Sequence, residues 1–425
     1  MRSEVPEGWR RVRLGTVAEV RSGVTKNTKK QLSDPIEVPY LRVANVQDGY
    51  LDLDEMKVIG IERRDLPRFR LNAGDVVMNE GGDIDKLGRG AVWNGQIDPC
   101  VHQNHVFSVR CRTDSLIPAF LAAAAESQIG KTYFMEVGKQ TTNLACINKT
   151  LLREFPLFLP PLPEQKKIAA VLSTVDEAIQ ATQAVIEQTR KVKEGLLQEL
   201  LTRGIGHTRF KQSPLGKIPG GWAVRRLGTC LRAIEAGWSP SCPDQIPAPG
   251  TWGVLKVSAV TGGVFKPQES KQLPQEMDPR PAVEVCEGDV LCVRANGNPD
   301  LVGVTVRVPV APRARLMLSD KTLRLVPVPA ALDRGFLAHA MSSEAIRGQV
   351  QESFSGSSGQ KNISQSTIRS LRVALPPLAE QLRITAILTG ADSSASEAEK
   401  RVRQLQQVKA GLLQDLLTGK VRVNP

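Results

Sequence analysis

The chain has 425 residues, 41% apolar and 24% charged, with 56 Lys and Arg against 44 Asp and Glu for a net charge of +12. That balance excludes a wholly disordered chain, and the length is about three typical domains. The longest apolar runs, such as residues 119–125, fall far short of the roughly 20 residues that span a bilayer. Residues 1–6 (MRSEVP) lack the apolar core of a secretory signal. Seven Cys are scattered without any C-x-x-C, which argues against a disulfide framework or zinc ribbon. The expectation is a soluble, intracellular, multidomain protein whose surplus positive charge suits a polyanion.

In chain order, residues 1–158 carry short β-like runs at 38–46, 75–78 and 106–111, with a short helix at 116–127. Pro160-Pro161 then precede apolar residues at alternating steps of three and four: Ile168, Val171, Val175, Ala178, Thr182, Val185, Thr189, Val192 and Leu196. This is coiled-coil spacing, and Pro is tolerated only in the first turn of such a helix. Residues 208–374 return to β-like runs at 252–260, 289–293, 301–308 and 322–328, with a helix at 336–347. Pro376-Pro377 open a second seam: Ile384, Ile387, Ala391, Ser394, Ala398, Arg401, Leu405, Val408 and Leu412. Gly204 and Gly419 suit C-terminal stops. Each helix of about 40 residues spans roughly 60 Å.

The second half repeats the first. Gly8-Trp9 and Leu14-Gly15 recur as Gly221-Trp222 and Leu227-Gly228, and Gly74-Asp75-Val76-Val77 as Gly288-Asp289-Val290-Leu291. Leu41-Arg42-Val43 recurs as Leu255-Lys256-Val257. Leu159-Pro160-Pro161-Leu162-Pro163-Glu164-Gln165 recurs, at an offset of 216, as Leu375-Pro376-Pro377-Leu378-Ala379-Glu380-Gln381. The same offset relates the helix ends Gly195-Leu196-Leu197-Gln198 and Gly411-Leu412-Leu413-Gln414. So long a period excludes a solenoid. It describes an α+β domain built twice, with boundaries at 1–158, 159–207, 208–374 and 375–425. Two independent amphipathic helices, each lying on its own domain, are the alternative. A 40-residue helix outruns such a domain, so mutual burial of the seams is preferred.

Net charge is +2 over residues 1–158, zero over 159–207, +8 over 208–374 and +2 over 375–425. The helices are therefore not the basic element. Lys and Arg on the domains would supply sequence-independent affinity for duplex DNA, although a basic balance can also serve solubility alone. Cys100, His102, His105 and Cys111 fit no zinc spacing, and no metal is expected. Neither a phosphate-binding Gly loop nor a catalytic Ser, His and Asp signature stands out. A reader rather than a catalyst is expected.

Three pairs of polar Gly loops carry suitable reading groups. The first is Ser22, Gly23, Thr25 and Lys26 with Lys29 and Lys30, matched by Trp238 and Ser239. The second is Asn79 and Glu80, matched by Arg294, Asn296 and Asn298. The third is Lys139, Gln140, Thr141 and Asn143, matched by Ser357, Ser358, Gln360, Lys361 and Asn362. Arg42, Arg89 and Lys256 complete the candidate DNA-contacting set. Arg and Lys suit guanine, Asn and Gln adenine, and Glu cytosine. Taken singly, each of these reads first as an ordinary turn residue; taken as a group, the loops read as recognition surfaces.

The duplicated G-W, L-G, G-D-V, L-P-P-L-x-E-Q and G-L-L-Q-x-L-L-T motifs resemble the specificity subunit of type I restriction–modification enzymes. The resemblance covers nearly the whole chain. It implies two target recognition domains, each reading half of a bipartite site in double-stranded DNA. It further implies two antiparallel spacer helices, here Ile168, Val175, Val185, Val192 and Leu196 against Ile384, Ile387, Leu405, Val408 and Leu412. Two methyltransferase subunits carrying S-adenosylmethionine, and restriction–translocase subunits, are the implied partners. The chain itself would hold no cofactor, catalyse nothing and work in a prokaryotic cytoplasm. A duplicated coiled-coil adaptor that binds only proteins is the rival reading, and an enzyme of unknown motif a third.

Overall fold

A computed structural model describes residues 5–26, 32–140, 145–353 and 361–423. The chain forms two compact units, one of residues 1–184 with 398–425, the other of 185–397. Each is organised identically around a four-stranded antiparallel sheet.

In the first unit that sheet runs Ala18–Ser22, Val106–Cys111, Val76–Asn79, Gly90–Val92. In the second it runs Leu231–Ala236, Thr322–Pro327, Val290–Val293, Thr305–Arg307. A three-stranded mixed sheet accompanies each: Lys57–Glu62, Pro35–Leu41, Val101–His102 in one, and Ser270–Gln272, Trp252–Leu255, Arg315–Met317 in the other. The expected run at 252–260 thus divides. The strand stops at Leu255, and Ser258–Thr261 turns helical. The helix expected at 336–347 is two, Arg334–Ala340 and Glu344–Glu352, because Ser343 caps a new start through its side chain on the Ile346 amide.

The G-D-V motif is an internal brace. Asp75 is buried, accepts from the Asn72 amide at 2.9 Å and takes two bonds from Arg110 at 2.8 Å. Asp289 repeats this with the Cys286 amide at 2.9 Å and Arg324 at 3.0 Å. Burial raises the Asp75 carboxyl, but Arg110, the Asn72 amide and Ser108 outweigh it and hold it below its ordinary value.

The central helix, Leu162–Thr202, and the C-terminal helix, Leu378–Leu417, are each joined to a unit by the E-Q of their opening motif. Glu164 accepts from the Trp9 indole at 3.1 Å and from Arg422 at 2.7 and 2.9 Å. Glu380 accepts from the Trp222 indole at 3.0 Å and meets His207 at 2.7 Å. Gln165 caps the Ile117 amide at 2.9 Å and donates to Ser115 and Pro160, while Gln381 caps Asp333 at 2.8 Å and donates to Ala331 and Pro376. These buried polar groups are paired on every side, as burial demands.

The helices are antiparallel within each unit. Ile168 and Leu172 share a core with Leu413, Leu416 and Leu417, and Leu200 and Leu201 share one with Ile384 and Leu388. The seam differs from the expected one in every second position. Ile168, Leu172, Ile179, Ile186 and Leu200 are buried, with Val175, Thr182, Thr189, Lys193 and Leu196 half-buried between them. Ile384, Leu388, Val402, Lys409 and Leu416 are buried in the other helix, with Leu405 and Leu412 half-buried. Val185 (56% exposed), Val192 (48%), Ile387 (41%) and Val408 (53%) face outward, correcting their assignment to the seam. The Ile beside Val185, the Leu beside Ile387, or a Lys with a carboxylate partner takes the inward place. Arg401 is exposed and Val402 replaces it, so the second seam is sounder than its sequence suggests.

Candidate nucleic-acid interface

In each unit a short connection before a sheet strand ties the Gly loops together. In the first it is Gln103, Asn104 and His105. The Val24 amide donates to His102 at 2.7 Å, and the Asn104 amide returns a bond to Val24 at 2.9 Å. The Glu80 amide donates to His105 at 2.9 Å, and the Ile147 amide to Glu80 at 2.8 Å. Gly81–Gly82 then pairs with Ala145–Cys146, which pairs with Lys139–Gln140. The described parts of all three polar loops are thereby set in one row.

The second unit repeats the row. The Trp238 amide donates to Leu318 at 2.9 Å, the Arg294 amide to Lys321 at 2.8 Å, and the Ile363 amide to Arg294 at 2.9 Å. Ala295–Asn296 pairs with Lys361–Asn362. Backbone contact is close enough to require glycine: a Cβ on Gly23 would lie 2.1 Å from the His102 carbonyl, and one on Gly237 2.1 Å from that of Leu318. Gly23 is therefore a packing residue.

Several candidates stand exposed on this row: Ser22, Thr25, Lys26, Lys139, Ser239, Arg294, Asn298 and Asn362, with Lys361 half-buried. Ser239 and Asp320 hydrogen-bond each other. The Arg280 guanidinium lies over the Trp238 ring, 4.0 Å from its centre. Asn296 and Asn298 spend side-chain oxygens on the local turn, each accepting a backbone amide at 2.9 Å. Lys29, Lys30, Thr141, Asn143, Ser357, Ser358 and Gln360 lie outside the described residues; Gln140 ends a strand there.

Four candidates are engaged internally. Asn79 is 1% exposed and donates to the carbonyls of Val43 and Val46, so it braces a turn and offers no edge to a base. Arg42 bonds Glu55, Arg89 is held among Asp48, Asp85 and Gln47, and Lys256 pairs with Asp244. His102 is also buried, its Nδ1 2.6 Å from the Val106 carbonyl, and burial pushes its pKa down to about 4.

Sequence reading missed the connecting segment itself. Gln103, Asn104 and His105, and their counterparts Ser319, Asp320 and Lys321, sit between the polar Gly loops. Their signal was present: two polar stretches at the 216 offset, each opening directly onto a β-like run.

A duplicated α+β reader with paired spacer helices is the class this arrangement defines. The sequence pattern of the type I restriction modification DNA specificity domain matches residues 6–189 and 312–410, and the chain belongs to that family. The putative type I restriction enzyme MjaX specificity subunit of Methanocaldococcus jannaschii is 27% identical over 99% of this chain and 95% of its own length. The EcoEI specificity subunit of Escherichia coli is 33% identical over 55% of this chain and 38% of its own. The fold is shared with the solved S subunit of a type I restriction–modification system from M. genitalium, with a TM-score of 0.60, 13% identity and 97% of each chain covered. Among the described residues no helix is long and apolar enough to cross a membrane.

Proposed function

We propose that this chain is the DNA-reading subunit of a type I restriction–modification complex, each unit reading one half of an asymmetric, gapped target. One observation carries this reading: in both units the backbone sets the described parts of three polar loops in a row, on the same sheet topology, with different side chains. The duplication supplies two readers and the divergence supplies two half-sites. Half-sites about 10 bp apart, centre to centre, would present to both readers on one face of the duplex. The paired helices hold that gap and dock two methyltransferase subunits, which bind S-adenosylmethionine and extrude the adenine to be methylated. Restriction–translocase subunits complete the complex in the cytoplasm. The chain itself catalyses nothing. Its surplus of basic residues gives the salt-sensitive component of affinity.

Methylation-aware sequencing of the host genome tests this. The expected product is a bipartite motif with unlike halves, and a palindrome would sink it. An adaptor that binds only proteins would show no salt-sensitive, sequence-selective DNA binding in the assembled complex.

A further inference from the structure

The geometry points to one homologous position, Glu80 in the first unit and Arg294 in the second, as a base-reading residue with opposite preference in the two half-sites. This rests on the DNA-reading role proposed above. The two residues are matched by their backbone bonds. Each amide donates to the connecting segment (His105 or Lys321), and each carbonyl accepts from the residue that follows the third loop (Ile147 or Ile363). Each side chain therefore leaves the same point, between a strand of the main sheet and the short strand that pairs with the third loop.

Their chemistry is opposed. Glu80 presents a carboxylate, which only accepts; His105 Nδ1 lies 3.1 Å from its Oε2. Arg294 presents a guanidinium, which only donates, and its neighbour across the bond is Lys321 rather than His105. In the major groove an acceptor at this place suits the N4 amino group of cytosine, and a guanidinium suits O6 and N7 of guanine. Each half-site should therefore contain a G·C pair, read from its cytosine edge by the first unit and its guanine edge by the second.

The experiment uses the full chain with its host's methyltransferase subunits and measures methylation of targets substituted one base pair at a time. Glu80→Gln, which adds a donor with little change of shape, should reduce discrimination at one G·C position of one half-site by about 5- to 150-fold. The other half-site and the gap should stay unchanged. Arg294→Gln should do the same in the opposite half-site. An equal loss at all positions, or unaltered discrimination, overturns the inference. So does a natural half-site holding no G·C pair. A wild-type complex that selects no sequence instead overturns the DNA-reading role on which it rests.

Discussion

Lys409 Nζ lies 2.6 Å from Asp176 Oδ1 on the helical seam of the first unit, and their counterparts at the 216 offset, Lys193 and Asp392, form the same ion pair in the second. The two pairs are unequal. Lys409 also reaches Glu126 at 2.6 Å and its side chain is 8% exposed, whereas that of Lys193 is 32% exposed. A buried lysine between two carboxylates is costly to disrupt, because removing it strands both charges. Lys409→Ala is expected to destabilise the first unit by about 3–5 kcal/mol. Lys193→Ala should cost about 1 kcal/mol, near the value for solvated pairs. Amide hydrogen exchange over residues 398–417, compared with 378–397, would read each effect locally. Equal losses would refute the asymmetry.

These lysines also explain what the sequence concealed. Heptad spacing made both helices legible, and the duplicated motifs made the two domains legible. The alternate seam positions were not, because two adjacent residues often competed for one place. At 171/172, 185/186 and 387/388 both are apolar, and only packing selects Leu172, Ile186 and Leu388. At 192/193 and 408/409 the apolar member is a Val and the other a Lys, so periodicity favours the wrong one. Nothing in a single sequence shows that Asp176 and Asp392 wait opposite. The candidate site was half legible for a similar reason. Polar Gly loops mark themselves, but Asn79 and Arg89 read as surface groups until their partners are seen.

Seam identity gives a paired test. Ile186 is 7% exposed and its neighbour Val185 56%. Ile186→Ala should cost about 2–4 kcal/mol through lost contacts and a cavity, while Val185→Ala stays within about 0.5 kcal/mol. Leu388→Ala and Ile387→Ala should divide in the same way. Denaturant midpoints at fixed protein concentration would measure both pairs.

The helix-opening Glu joins each long helix to its unit through a Trp. Glu164→Ala leaves the Trp9 indole without its acceptor and Arg422 with only the Glu7 carbonyl, and should cost about 2–3 kcal/mol. Glu164→Gln keeps an oxygen for the indole and should recover part of this. Denaturant midpoints of the two variants, set against wild type, read the loosened contact. Identical midpoints for the two variants would show that the indole bond contributes nothing.

Thiol reactivity should separate the cysteines. Cys146 and Cys286 are exposed, while Cys100, Cys111 and Cys292 are buried. Burial pushes the thiols of Cys100 and Cys111 up to about 12 and that of Cys292 to about 11. The thiolate is the reactive form, so all three should be inert at neutral pH in the folded protein. A chromogenic disulfide reagent should modify Cys146 and Cys286 first. Those three, and the equally buried Cys230, should react only on unfolding, identified by peptide mass.

The brace under the first reader makes its stability pH-dependent. Asp75 has a folded-state pKa below its unfolded value, which is about 3.9. Such a group contributes its full stabilisation above the unfolded pKa, and that contribution is lost as pH falls through the folded pKa. Asp75→Asn keeps the shape but removes the charge that Arg110 and the Asn72 amide use. The gap in denaturant midpoint between wild type and this variant should therefore be constant above pH about 5 and shrink below about 4. Its plateau should sit toward the lower end of about 3–5 kcal/mol, because the Arg110 side chain is 35% exposed and can regain water. A gap that widened on acidification would mean that burial, not Arg110, controls this carboxylate. The brace would then act as a neutral hydrogen-bonding group at the Val76 end of the main sheet rather than as an ion pair.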